Sequence, residues 1–118
     1  MFKFIFLFLL SFNACAFDEW SEADKTREAV YLAVDTVDWL QTRTIAKNPN
    51  QYYERNPILG DHPSVGQVNN YSLCMMLAHV AAITVIPSEY RAPIQYISIA
   101  VVSNSVYKNY RLGISINF

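Results

Sequence analysis

The sequence predicts an all-α protein, a three-helix bundle that spans a membrane and follows an N-terminal signal peptide. Three apolar segments of about twenty residues each are long enough to cross a bilayer. Each segment also has a thin polar stripe at helical spacing. The expected helices cover residues 22–47, 64–86 and 90–110, with an extended tail over residues 111–118.

The first residues have the pattern of an export signal. Residues 1–16, MFKFIFLFLLSFNACA, place Lys3 before an apolar run and end in the small-residue triplet ACA. This order is typical of a secretory signal peptide. We therefore expect cleavage after Ala16 and one mature domain over residues 17–118. The alternative is a lipoprotein with its lipid on Cys15.

The charge balance and the cysteine content limit the possible classes of function. The chain has nine Lys and Arg residues and ten Asp and Glu residues, and Lys3 is the only one of these before residue 17. The mature chain therefore has eight basic and ten acidic residues, a net charge of −2. The sequence has no basic patch that would indicate nucleic acid as a partner. Cys74 is the only cysteine after the signal, which excludes an intramolecular disulfide. Stability must then come from a bilayer, a partner or self-association.

The first segment is apolar around most of its circumference. Residues 24–47 contain no Gly or Pro. At 100° per residue, one narrow sector holds Arg27, Tyr31, Asp35, Asp38 and Thr42. A surface helix of a soluble protein has the opposite proportion, with a limited apolar stripe. The pattern therefore indicates a helix in a protein core or in a membrane.

The second and third segments repeat this pattern. Ser64 and Gln67 predict a capping box at the start of the second helix, and His79 lies on its minor polar stripe. The third helix carries Gln95 and Asn109 on one side. Its β-branched residues leave a strand possible, but its length without turn residues favours a helix.

Charge placement favours a membrane location over a soluble bundle. With the mature N-terminus outside, five basic residues lie on or near the cytoplasmic side and three lie outside, as the positive-inside rule expects. The residues on the cytoplasmic side are Arg43, Lys47, Arg55, Lys108 and Arg111. Those on the outer side are Lys25, Arg27 and Arg91. We expect the bacterial inner membrane, with the C-terminus in the cytoplasm; the alternatives are the periplasm or a lipid anchor. The expected partners are membrane lipid and other membrane proteins or further copies of the chain.

The candidate site residues are polar groups in unexpected places. A carboxylate within a membrane span is costly and should face the bundle interior. The expected cluster contains Asp38, Thr42, Glu54, Asn56, His62 and His79, with Asp35, Gln95 and Asn109 as secondary members. These residues either fix helix register or bind a ligand, and we favour register.

Enzymatic chemistry has weak support in the sequence. Asp38, Glu54, His62 and His79 are metal-ligand types, but no pair has a diagnostic spacing, so we predict no metal and no cofactor. No glycine frames a serine-hydrolase elbow. A small-ligand or metal-dependent membrane enzyme and a soluble periplasmic bundle or lipoprotein remain alternatives to a structural or interaction component.

Two short motifs carry a resemblance to a known group of proteins. DWLQT at residues 38–42 and ERNP at residues 54–57 resemble the D-x-x-x-T … E-x-N-P pattern of small uncharacterised multi-helix membrane proteins from bacteria and phages. The segment GDHPS at residues 60–64 adds to the similarity. The resemblance implies a compact bundle of membrane helices with these polar residues grouped near one membrane face. It implies no activity.

Overall fold

The computed structural model describes residues 17–116, and the predicted signal peptide lies outside these residues. Within them the chain forms three α-helices and no strand, which confirms the all-helical prediction. The helices are α1 (Glu22–Lys47), α2 (Val65–Val85) and α3 (Ser88–Arg111). The third segment is thus a helix and not a strand. Residues 114–116 of the tail have no regular structure, and residues 117–118 lie outside the described part.

Side-chain caps define where the first two helices begin. The predicted capping box at α2 is confirmed: the Ser64 hydroxyl accepts from the Gln67 N–H at 3.1 Å, and the Gln67 side chain accepts from the Ser64 N–H at 2.9 Å. Ser21 and Asp24 form the same reciprocal pair at α1, with both distances 3.0 Å. Each pair satisfies N–H groups that have no partner inside a helix.

The third helix is capped by a residue far away in the chain. Pro87 precedes α3 and offers no side-chain hydrogen bond. The Asp18 carboxylate instead accepts from the Ser88 N–H at 2.8 Å. This hydrogen bond holds the pKa of the Asp18 carboxyl below its usual value. The segment before α1 is therefore attached to the turn between α2 and α3.

Helix α1 packs against both α2 and α3. At 1.5 Å per residue, the three helices are about 39, 32 and 36 Å long, and each exceeds the roughly 30 Å hydrocarbon thickness of a bilayer. The molecule measures 51 × 37 × 21 Å along its principal axes. The structure is thus a bundle built around α1.

The bundle buries large polar side chains and exposes large apolar ones. Arg91 and Gln95 are among the largest fully buried side chains, each with 0 % of its surface exposed. Large apolar residues lie outside: Leu77 and Ile97 are each 63 % exposed. Charged residues are almost never fully buried in soluble proteins unless they are paired. The interior of the bundle is mixed, since Val68 and Ile83 are equally buried, but polar residues outnumber apolar ones among the buried side chains of residues 17–116.

Candidate functional site

Arg91 is the centre of the buried polar contacts at one end of the bundle. It donates to five acceptors: the carbonyl oxygens of Asp18 (2.6 Å), Glu19 (2.8 Å), Ile83 (2.9 Å) and Thr84 (3.2 Å), and the carboxylate of Asp24 (3.1 Å). The last carbonyls of a helix have no partner within it, so Arg91 caps the end of α2. It joins α3, α2 and the segment before α1.

Gln95 extends these contacts along α3 toward the middle of the bundle. Its amide nitrogen donates to the Asp24 carbonyl at 3.0 Å and to the Glu28 carboxylate at 2.9 Å. Its amide oxygen accepts from Arg27 Nε at 2.8 Å, and Arg27 also pairs with Asp24 at 2.6 Å. Two carboxylates and two guanidinium groups thus balance in charge, as buried ionic groups require.

His79 of α2 connects the same network to all three helices. Its Nδ1 lies 2.6 Å from Glu28 Oε1 on α1, and its Nε2 lies 2.9 Å from Ser98 Oγ on α3. The Tyr31 ring stacks on the imidazole, with centroids 3.7 Å apart. Because an ionised carboxylate only accepts, Nδ1 carries a proton, and in the neutral ring Nε2 accepts from the Ser98 hydroxyl. The polar core of the bundle thus consists of Asp24, Arg27, Glu28, His79, Arg91, Gln95 and Ser98.

The order Ser98, His79 and Glu28 matches that of a nucleophile, its base and an orienting carboxylate. Acyl transfer also needs donors that stabilise a developing oxyanion. Ser98 lies within α3, where backbone N–H groups bond to carbonyls one turn earlier, and both amide protons of Gln95 are in use. The arrangement therefore fits an interhelical contact better than a hydrolase site.

The structure brings part of the predicted cluster together. The Asp38 carboxylate lies close enough to those of Asp35 and Glu54 for their like charges to repel, and Asp35 lies within electrostatic range of His79. The Thr42 hydroxyl donates to the Asp38 carbonyl of its own helix at 2.8 Å. Within residues 17–116, neither Asp35 nor Asp38 accepts a side-chain hydrogen bond at its carboxylate. Asp38 and Asp35 are thus half-buried carboxylates outside the polar core.

Glu54 and Asn56 shape the loop between α1 and α2. The Glu54 carboxylate accepts from the backbone N–H groups of Arg55 and Asn56, at 3.0 and 3.1 Å. The Asn56 amide donates to the Tyr71 hydroxyl at 2.9 Å, which attaches the loop to α2. His62 is exposed and lines an open cavity of about 320 Å³ on the loop surface. The Glu54 N–H donates to the Asp61 carbonyl at 2.8 Å, so His62 follows directly on a residue bonded to Glu54.

The two secondary residues of α3 lie at different levels of the bundle. Gln95 belongs to the polar core, whereas the Asn109 amide donates to the Gln41 side chain at 3.2 Å. Gln41 in turn donates to the Val106 carbonyl at 3.2 Å. Fourteen residues of helix separate Gln95 from Asn109, about 21 Å. The polar groups of α3 thus form two contacts with α1, one near each end.

The residues of the polar core were only partly found from the sequence. The positive-inside argument places Arg91 on the outer side of the membrane, and Glu28 is not among the predicted site residues. Glu28 shares the helical sector of Tyr31 and Asp35, so its position on α1 contained a signal. Arg91 had none, because a basic residue near a helix start is ordinarily solvated. Within residues 17–116, no group of three or more His, Cys, Asp or Glu residues has the geometry of a metal site.

Comparisons with known proteins do not place the chain in a family. No protein-family model matches it, and neither a curated protein nor a solved structure is significantly similar to it. The resemblance to small multi-helix membrane proteins therefore remains a prediction, carried by residues 38–42 and 54–64.

Proposed function

We propose that this protein is an integral membrane component that acts through contacts with lipid and with other membrane proteins, and not as an enzyme. The single observation that supports the proposal is the reversed polarity of the bundle. Arg91 and Gln95 are fully buried, while Leu77 and Ile97 are mostly exposed. In a bilayer, such a surface contacts hydrocarbon, and the polar interior supplies the interhelical hydrogen bonds.

Helix α2 shows this polarity most clearly. Among the described residues it is the one helix long and apolar enough to cross a membrane by length and composition. The core helix of a soluble protein can pass the same test, but such a helix is mostly buried by its neighbours. Only 11 % of the apolar window of α2 is buried in the bundle. A surface of this kind needs lipid or a partner to cover it.

Helices α1 and α3 carry too many polar residues to be recognised as spans by composition. Asp24 and Glu28 are each only 4 % exposed and are bonded to residues of the other two helices. Paired inside a bundle, these groups do not face lipid, which lowers the cost of placing them in a membrane. The proposed unit in the membrane is therefore the complete bundle.

The proposed location is a bacterial inner membrane, with the segment before α1 outside and the end of α3 in the cytoplasm. The excess of Lys and Arg near the ends of α1 and α3 supports this orientation. Tyr107 and Tyr110 are exposed at that end, where an interfacial belt of aromatic residues would lie. The similarity to small multi-helix membrane proteins of bacteria and phages is part of the same proposal.

Cys74 provides a direct test, because it is exposed on α2 and no other cysteine occurs among the described residues. In isolated membranes, we expect a membrane-impermeant maleimide to leave Cys74 unlabelled until detergent is added, with the labelled position identified by peptide mass. The matched control is Glu89→Cys with Cys74→Ala, which places the thiol at a helix end and should react without detergent. The protein should also stay in the pellet after alkaline carbonate extraction. Release by carbonate together with free labelling of Cys74 would support a soluble bundle and refute the proposal.

A further inference from the structure

An apolar groove runs between α1 and α3 at the end of the bundle opposite the polar core. Its volume is about 670 Å³, which lies within the range of small-molecule sites. Its walls include Val34, Val37, Val106, Tyr107, Tyr110 and Ile114. The buried Gln41 at its side uses its amide group in hydrogen bonds to Val106 and Asn109, so it adds no unpaired amide to the wall.

The charged side chains at the α3 end of this groove are basic, and the two carboxylates nearest to it in sequence, Asp35 and Asp38, lie toward its other end on α1. Arg111 lies over the ring of Tyr107, with its guanidinium carbon 6.0 Å from the ring centroid, and Tyr107 lines the groove. Lys108 is exposed on the same last turn of α3. Neither residues 39–47 of α1 nor residues 92–116 contain Asp or Glu. The groove is thus apolar along its length and positive at its mouth.

We infer that this groove binds an acyl chain of an anionic phospholipid, with the phosphate held by Arg111 and Lys108. The inference rests on the proposed membrane location. From Val34 to Gln41 the groove follows seven residues of helix, about 10 Å, which is two-thirds of the roughly 15 Å depth of one leaflet. Basic groups beside clefts between membrane helices are a known means of binding anionic headgroups.

The test measures lipid binding to the full-length protein in mild detergent by native mass spectrometry. Phosphatidylglycerol and phosphatidylcholine with identical acyl chains serve as the two probes. We expect one bound phosphatidylglycerol to be retained in preference to phosphatidylcholine. Arg111→Gln should weaken phosphatidylglycerol binding about fivefold and leave phosphatidylcholine unchanged. Arg55→Gln removes an exposed charge from the loop, away from the groove, and should have no effect.

Filling the groove should remove binding of both lipids. Val106→Trp places a large ring in the groove, and Val101→Trp is the matched control because Val101 is 61 % exposed on the same helix outside it. If Val106→Trp does not fold, Ser103→Phe fills the same groove from one helical turn earlier on α3.

Three results would overturn the inference. They are equal retention of both lipids by the wild type, unchanged binding after the groove is filled, or a dimer mass without bound lipid, which would place a second copy in the groove. If the protein also leaves the membrane on carbonate extraction, the membrane proposal fails with it. If the protein stays in the membrane, only the lipid site is refuted.

Discussion

Replacement of Arg91 by Met should remove most of the stability of the bundle. Arg91 is fully buried and makes five hydrogen bonds, four of them to backbone carbonyls. Removing one partner of a buried ion pair costs about 3–5 kcal/mol, because the other charge is left without compensation. Here the remaining charge is that of Asp24, which keeps Arg27 as a partner, so the lower end of that range applies to the pair.

The orphaned carbonyl groups add to this cost. Each buried acceptor without a donor costs about 1–3 kcal/mol, although water that enters the space left by the guanidinium would recover part of it. We therefore expect Arg91→Met to lower the free energy of unfolding by at least about 4 kcal/mol, a large part of the roughly 5–15 kcal/mol typical of a whole domain. Arg91→Lys should recover little, since one ammonium group cannot reach all these acceptors.

The assay is unfolding in mild detergent, followed by the helical circular dichroism signal. Arg111→Met is the matched control, because Arg111 lies on the same helix but is exposed, and it should change the stability little. Adding Asp24→Asn to Arg91→Met should restore part of the loss, because it leaves one carboxylate (Glu28) against one guanidinium (Arg27) in the polar core and keeps an oxygen for the cap on Ser21. A loss below about 1 kcal/mol for Arg91→Met would refute the reasoning, since values that small are typical of exposed ion pairs.

Three further substitutions test the remaining polar groups in the same unfolding assay. Asp38→Asn should stabilise the protein by about 0.5–2 kcal/mol, because it removes a half-buried charge repelled by those of Asp35 and Glu54. The control Asp61→Asn changes an exposed carboxylate and should have little effect. A loss of stability in Asp38→Asn would contradict the prediction and show that this carboxylate has a favourable partner. His79→Leu should cost about 2–3 kcal/mol because Glu28 loses its 2.6 Å partner, and an unchanged stability would contradict the assigned contact. Ser98→Ala should cost only about 1 kcal/mol, and a cost equal to that of His79→Leu would mean that the two residues act as one unit.

The helices were predictable because their signals are local. Ser64 and Gln67 form a cap within four residues, and the length and polarity of each segment follow from the sequence alone. The polar residues could be assigned to helix faces for the same reason. Which of them meet depends on how the three helices are rotated about their axes, which no single segment determines.

His79 shows this limit clearly. The sequence placed it on a polar stripe and suggested that it meets Asp38. Its hydrogen-bond partners are Glu28 and Ser98, at a different level of α1 and on α3. Arg91 was harder still, because four of its five acceptors are backbone carbonyls, which every residue possesses and no sequence motif reveals.

The contacts of Arg91 and Gln95 have a consequence for the synthesis of the protein. A chain made from its N-terminus presents α1, with Asp24 and Glu28, before α3 has left the ribosome. Asp24 has Arg27 as a partner on its own helix, but two further donors to these carboxylates, Arg91 and Gln95, lie 67 residues later in the chain. In the proposed membrane location, α1 would complete its contacts only after α3 has been made, because Arg91 and Gln95 belong to α3. Translation of α3 would then complete the buried polar contacts of α1, and the first helix to be made would be among the last to reach its final position.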